Sequence, residues 1–247
     1  MRGPISDGCG CFPTGRHYPG IAHLLRASTI GLVAGISPDV PWEDMEIALL
    51  DVETTGRDAS IDRVIEVGIV VARGGKILSK HNWLVNPGVP IPAASTEVHG
   101  IKDADVADKP SFAELAREIA ETLGGRVPAA YNALFDKAFL LSELARASID
   151  VLPYPSLKRD VVWVDPLVWA REIQQAEKSR TLGEVAQRLG IELERAHRAS
   201  EDAEAAARVL YVLCADGRVP RPYGAFVQEQ RRLGLAQADE RRQWRNN

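Results

Sequence analysis

The sequence predicts an α/β fold, a mixed β-sheet flanked by helices. Two β-rich runs, residues 64–72 and 76–85, are joined by Arg73-Gly74-Gly75, and a Gly-Gly pair between such runs signals a hairpin. Strand-like and helix-like segments then alternate to the end of the chain, which requires crossovers and so a partly parallel sheet. Apolar residues in the helical segments recur at three and four, as with Phe112, Leu115, Ile119 and Leu123.

Taken in order, residues 47–53 form a short apolar run that ends in acid, the first strand. The hairpin follows. Residues 111–123 are a helix whose Ser111 and Glu114 make a capping box. Residues 126–131 are a short strand, and 132–147 a helix carrying Phe135, Phe139, Leu140 and Leu144. Residues 161–164 are another strand, and Pro166 opens the next helix at a favoured first-turn position. Residues 181–189 are a short helix stopped by Gly190, and the Ala-rich stretch 200–215 is strongly helical.

Around this core the composition changes. Eight Gly and Pro residues punctuate the first twenty positions, so residues 1–44 read as an irregular extension. An apolar stretch at 27–36 is expected to form a short helix within it. Met45, the only methionine besides Met1, stands directly before the first strand. Residues 1–44 are therefore expected to be dispensable for the core chemistry, or to precede a later translation start. The domain boundaries expected are 1–44, a core of 45–216, and a linker and helix over 217–247.

The composition is that of an ordinary globular chain: 247 residues, 45% hydrophobic and 26% charged, with a formal net charge of −4. Mild acidity excludes a general nucleic-acid coat protein, although local positive charge or bound cations still permit nucleic-acid binding. Three cysteines without a framework spacing point to a reduced, cytoplasmic setting. No apolar run reaches the length needed to span a bilayer, so no membrane partner is expected.

Three blocks carry chemistry. In Asp51-Val52-Glu53-Thr54-Thr55-Gly56, the two acids lie on one face of a strand, about 7 Å apart by strand rise. At that distance, bare carboxylates repel by about 2 kcal/mol at an effective dielectric near 20. A core strand rarely carries such a pair without a cation. In Asn132-Ala133-Leu134-Phe135-Asp136, a strand ends and a helix starts, with Asp136 in an otherwise apolar first turn. In His197-Arg198-Ala199-Ser200-Glu201-Asp202, an imidazole precedes a long helix and an acid lies within its first turns. Each block has a plain alternative: solvated acids at a strand end, acids favoured by helix dipoles, a surface histidine. Together they read differently. Four carboxylates carry a charge near −4, which two divalent cations would neutralise. Oxygen ligands suit Mg²⁺ or Mn²⁺. Two such ions about 3.5–4 Å apart form a clamp for phosphodiester hydrolysis, and a histidine is suited to deprotonate the attacking water.

In these three ordered motifs, Asp-x-Glu-Thr-Thr-Gly, Asn-x-x-Phe-Asp and His-x-Ala-x-x-Asp, the chain resembles the DEDD exonucleases, in their histidine-bearing, DnaQ-like branch. That branch includes proofreading subunits of bacterial replicative polymerases. The resemblance covers roughly residues 46–215. It implies an RNase H-like fold and 3′→5′ exonuclease activity releasing nucleoside 5′-monophosphates from a single-stranded or frayed DNA 3′ end. It implies that Asp51, Glu53, Asp136 and Asp202 hold two Mg²⁺ or Mn²⁺ ions, with His197 as general base. Thr54, Thr55, His99 and Asn132 would contact the substrate, His99 through a family-like Val98-His99-Gly100-Ile101 segment; a helix-end histidine is the alternative for it. Tyr131 stands where the family often has His, which bears on substrate preference.

Beyond the resemblance, residues 218–222 read as a linker and 226–244 as a helix. Its bland reading is an amphipathic helix with Phe226, Leu233 and Trp244 inward. Its arginines could instead meet a nucleic acid or a partner such as a DNA polymerase, and Gln230-Arg231-Arg232-Leu233-Gly234-Leu235 is similar to a sliding-clamp-binding peptide. Two further functions stay open: an exoribonuclease of the same fold, and a non-catalytic adaptor for a polymerase or clamp.

Overall fold

We analysed a computed structural model that describes residues 29–192 and 198–246. Strand β1 (Ile47–Thr54) forms the centre of a four-stranded sheet with β2 (Val64–Arg73), β3 (Lys76–Leu84) and β4 (Val127–Ala129), in the order β3-β2-β1-β4. β2 runs antiparallel to β1 and β3, whereas β4 is parallel to β1. The sheet is mixed, as the sequence predicts. Gly74 and Gly75 connect β2 to β3 with positive φ at both positions, 57° and 76°. A two-residue hairpin turn of this hand needs that conformation, and glycine adopts it without steric cost.

Alternation along β1 divides the core. Ala48, Leu50 and Val52 face one side, where α3 (Phe112–Leu123) and α4 (Ala133–Arg146) cover them. Ile47 and Leu49 face the other side, toward α5 (Pro166–Ile173), α7 (Ala199–Leu213) and α8 (Tyr223–Asn246). Period-two alternation therefore sends Asp51 and Glu53 to the α7 side. The capping box at α3 forms, with Ser111 N–H donating to the Glu114 carboxylate at 2.7 Å. Thr181 caps α6 (Leu182–Arg188). Two short helices, α1 (Ala93–His99) and α2 (Asp103–Val106), fill a stretch to which the sequence assigned no element.

Three expectations are corrected. The strand expected at 161–164 is only a single parallel bridge, Ala129 to Val164. The segment is shared: Val162 N–H donates to Gly31 O at 2.8 Å, and Val164 N–H to Pro128 O at 2.9 Å, so no one neighbour pairs with it continuously. The strand expected at 126–131 shrinks to three residues, with Pro128 lacking the N–H a longer ladder would use. Among the described residues of 27–36, turns replace the expected helix.

Residues 30–45 hold turns and one 3-10 turn, Trp42–Asp44, and are firmly seated. Val33 N–H donates to the Tyr223 hydroxyl at 3.2 Å, Trp42 N–H to Arg221 O, and Tyr223 N–H to Val40 O. Trp42 is buried and stacks on Phe226 with ring centroids 5.0 Å apart. Phe226 and Leu233 of α8 point inward, as the bland reading has it; the Trp244 side chain lies outside the described residues. No helix among the described residues is long and apolar enough to cross a membrane.

Trp42→Ala should destabilise the protein by about 3–5 kcal/mol, as expected for an aromatic deleted from a packed core. Urea denaturation checks this. A midpoint matching wild type would mean that residues 30–45 rest on the domain without supporting it.

Candidate active site

The sheet delivers the first two acids. Asp51 and Glu53 lie opposite Gly68 and Glu66 of β2, and the β1 ladder is irregular immediately after Glu53. Asp202 arrives on the first turns of α7. Ligand atoms of Asp51, Glu53 and Asp202 all lie within 4.8 Å of one another. Asp136, one turn into α4, is buried, and its Oδ1 accepts from Val52 N–H at 3.2 Å. It stands outside the tight trio, and among neighbouring charges it acts most strongly on Asp51.

Glycine makes this convergence sterically possible. A Cβ on Gly68 would fall 2.2 Å from the backbone of Ala199 and Ser200. The start of α7 therefore rests directly on β2, opposite Asp51, which brings Asp202 within reach. A buried network fixes the same helix start. Glu66, fully buried, accepts from Arg198 at 2.7 Å, from Asn82 Nδ2 at 2.8 Å and from Ala199 N–H at 3.1 Å. Ser200 N–H donates to Asn82 Oδ1 at 3.3 Å. The first N–H groups of a helix lack partners within it, and here neighbouring strands supply them.

The electrostatics are those of a site short of positive charge. Burial, then the charges of Asp136, Glu53, Asp202 and Glu66, hold the Asp51 carboxyl well above the usual carboxylate range. Burial, then Asp202 and Glu66, push Glu53 up to about 8, against a lowering by Arg198. Burial likewise raises Asp136, opposed by its bond from Val52. Carboxylates so arranged are relieved by a cation, and an all-oxygen donor set suits a hard divalent ion. Asp51, Glu53 and Asp202 can hold one.

The other expected residues are placed as follows. Thr54 and Thr55 are buried, and their hydroxyls serve the loop itself: Thr54 Oγ1 donates to Gly56 O at 2.6 Å, and Thr55 Oγ1 accepts from Arg63 N–H at 2.9 Å. Ser95 of α1 donates to Thr55 O at 2.8 Å. His99, buried one turn further along α1, accepts from Ile101 N–H through Nδ1 at 3.1 Å, which is the helix-end arrangement. Asn132 precedes α4 in a left-handed conformation, φ 70°. It borders an open groove of about 920 Å³, with Arg57, Asp62, Phe135 and an 83% exposed Leu134 also on its wall. Glu143 of α4 ties down the far side of the loop. It accepts from Arg63 Nε at 2.7 Å and from Val64 N–H at 3.2 Å, while Arg146 donates to Ala59 O. His197 lies outside the described residues.

Sequence reasoning missed Glu66, Gly68, Asn82, Glu143 and Asp165. Two of them left a signal. Glu66 and Gly68 interrupt the otherwise apolar run Val64-Ile65-Glu66-Val67-Gly68-Ile69, where a charge has no place unless it is paired. The clamp-like peptide is corrected: Gln230 and Leu233 are buried in the middle of α8, so it is not displayed for a partner.

Two outcomes follow. Gly68→Ala should cost about 1–3 kcal/mol or more through overpacking, lowering the melting temperature and separating Asp202 from the strand acids. An unchanged melting temperature would contradict the close approach. Asp51 has a folded-state pKa above its unfolded value of about 3.9, so its ionisation disfavours folding increasingly as pH rises above that value. In chelator, Asp51→Asn should therefore melt higher than wild type at pH 8, with the gap closing toward pH 4. A lower melting temperature for the variant at pH 8 would refute the repulsion.

The comparisons with known proteins agree with this geometry. A family model described as exonuclease, of RNase T type, matches residues 49–210. Among relatives, the PolC-type DNA polymerase III of Clostridium perfringens is 35% identical over 68% of this chain, and that of Streptococcus suis 30% identical over 72%. The Thermotoga maritima enzyme is 28% identical over 90%. The chain spans only 11–15% of the length of these relatives. In solved structures the fold recurs in Exonuclease X in complex with 5′ overhanging duplex DNA, with a TM-score of 0.56, 21% identity and coverage of 74% of this chain and 99% of that one. It recurs in E. coli Exonuclease I in complex with a dA16 oligonucleotide, with a TM-score of 0.61, 19% identity and coverage of 70% and 42%. With three motifs in order, a mixed sheet that gathers their acids and a family match over most of the core, this chain belongs to the DnaQ-like exonuclease family, with an RNase H-like fold.

Proposed function

We propose that this chain is a 3′→5′ exonuclease that removes nucleoside 5′-monophosphates from single-stranded or frayed DNA 3′ ends, in proofreading or repair. The observation that carries the reading is the meeting of Asp51, Glu53 and Asp202 within 4.8 Å, with Asp136 beside them. Residues 150 positions apart in the chain share one small volume there for no structural gain, since their mutual repulsion opposes folding. DNA is preferred over RNA as substrate because the relatives are DNA polymerases and the neighbouring structures hold DNA. A DNA polymerase is the protein partner this suggests. A cytoplasmic setting follows from the cysteine usage.

The four carboxylates would hold two Mg²⁺ or Mn²⁺ ions. Bound there, such ions supply Lewis acidity that activates water and stabilises the departing 3′ oxygen. The chain's own residues do the rest. Asp51, central among the acids, would hold the ions together with Glu53 and Asp202, and Asp136 would complete the set of ligands. His197, assigned from its motif, would take the proton of the attacking water; Arg198, the next residue, is anchored on buried Glu66. The backbone around Thr54 and Thr55 would hold the terminal nucleotide, their hydroxyls being committed to the loop. Asn132 and the groove beside it would receive the strand behind that nucleotide, Ser95 of α1 would support the Thr55 loop, and His99 would contact the terminal nucleotide.

The test uses matched DNA and RNA single strands labelled at the 5′ end, with Mg²⁺ or Mn²⁺. A ladder shortening from the 3′ end, with nucleoside 5′-monophosphates as product and DNA degraded faster, is expected. Faster RNA degradation would favour the exoribonuclease, and no cleavage of either the adaptor. His197→Ala should lower kcat by about 10²–10⁴-fold, the usual worth of a general base, and Asp51→Ala by at least as much. Near-wild-type cleavage by either folded variant would overturn the assignment.

A further inference from the structure

The helix that carries Asp136 begins in an unusual way. Asn132, its N-cap, is left-handed and makes no side-chain capping bond of its own. The first N–H groups of α4 are satisfied from elsewhere. Asp165 Oδ1 accepts from Asn132 N–H at 3.0 Å and Oδ2 from Ala133 N–H at 3.1 Å. The same carboxylate caps α5, accepting from Leu167 N–H at 2.9 Å. One side chain thus sets two helix starts, and it does so while burial raises its own pKa against those three bonds.

Asp165 is in turn held by a residue outside the span that matches the exonuclease family. Gln230 of α8 is 4% exposed, and both ends of its amide are used. Its Oε1 accepts from Asp165 N–H at 2.8 Å, and its Nε2 donates to Trp163 O at 2.9 Å. An amide that bonds the backbone on both sides of Val164 fixes the orientation of that segment. Val164 itself is bridged to β4. The connections run from α8 through Gln230 to Asp165, from Asp165 to the first turn of α4, and one turn later to Asp136. Asp136 closes the path on β1 through Val52.

We infer that Gln230 and Asp165 are positioning residues for Asp136, through which the C-terminal helix sets the geometry of the metal-binding acids. This assigns α8 a part in the active site although it contributes no side chain to it. Mutation of partners that orient a metal-binding side chain typically costs about 10–100-fold in metal affinity or activity. The inference rests on the proposed metal-binding role of the acids.

The test is Gln230→Leu in the full chain, a change that keeps the volume and deletes both hydrogen bonds. Mn²⁺ binding to the substrate-free protein is measured by calorimetry, and kcat and KM are measured on a labelled DNA strand. The expected result is Mn²⁺ affinity weakened by about tenfold, a lowered kcat and an unchanged KM for DNA. If Gln230 only supported the fold, the melting temperature would fall while Mn²⁺ affinity and kcat of the folded protein stayed at wild type, and the inference would be overturned. Should that variant fail to fold, Asp165→Asn keeps the shape and one acceptor oxygen; it should shift Mn²⁺ affinity in the same direction, and unchanged affinity would equally overturn the inference. A wild-type chain that bound no Mn²⁺ would remove the functional reading itself, an outcome distinct from a normal wild type beside a normal Gln230→Leu.

Discussion

The structure depends on holding together carboxylates that repel one another. Asp51, Glu53 and Asp202 share a space within 4.8 Å, and Asp136 adds a fourth charge to Asp51. Nothing among these four groups favours assembly before a cation arrives, so the scaffold must force it. The means are ordinary: an apolar strand buried on both faces, a helix seated against a strand where no side chain intervenes, and buried polar groups that fix helix starts. Stability gained by the two hydrophobic layers is partly spent at the site, as is common where function requires strained electrostatics.

Each of the helices bearing an acid is registered by a carboxylate that is not itself among the acids, Glu66 fully buried and Asp165 half-buried. Glu66 fixes the start of α7, and Asp165 fixes the start of α4. Both accept backbone N–H groups that a helix cannot satisfy internally, and both are themselves held by amide or guanidinium partners, Asn82 and Arg198 for Glu66 and Gln230 for Asp165. The arrangement converts two loosely specified features, where a helix begins and how it is rotated, into defined ones.

Much of this was legible in the sequence. Strong periodicity and punctuation located the hairpin, α3, α4, α6 and α7, because Gly-Gly, a capping box and Ala-rich stretches act locally. Asp51, Glu53 and Asp202, which the fold brings together, were singled out by short motifs in order, a carboxylate next to apolar residues being costly unless it serves something. What the sequence hid was relational. Val161–Val164 has strand-like composition, yet its pairing is divided among Gly31, Pro128 and Gln230, three partners far apart in the chain. Gly68 interrupts the apolar run of β2, yet only the packing shows that α7 is laid across it. Gln230 resembles part of an exposed peptide motif, and only the packing of α8 shows that its amide faces inward.

The double tether on Glu143 has a consequence for how a polymer would be received. Arg63 and Val64 N–H bond Glu143, and Arg146 bonds Ala59 O, so the loop after β1 is joined to the body of α4. A channel with rigid banks loses little disorder when filled, and it adapts little to a guest of different width. Any selectivity in such a channel would come from fit rather than from closure.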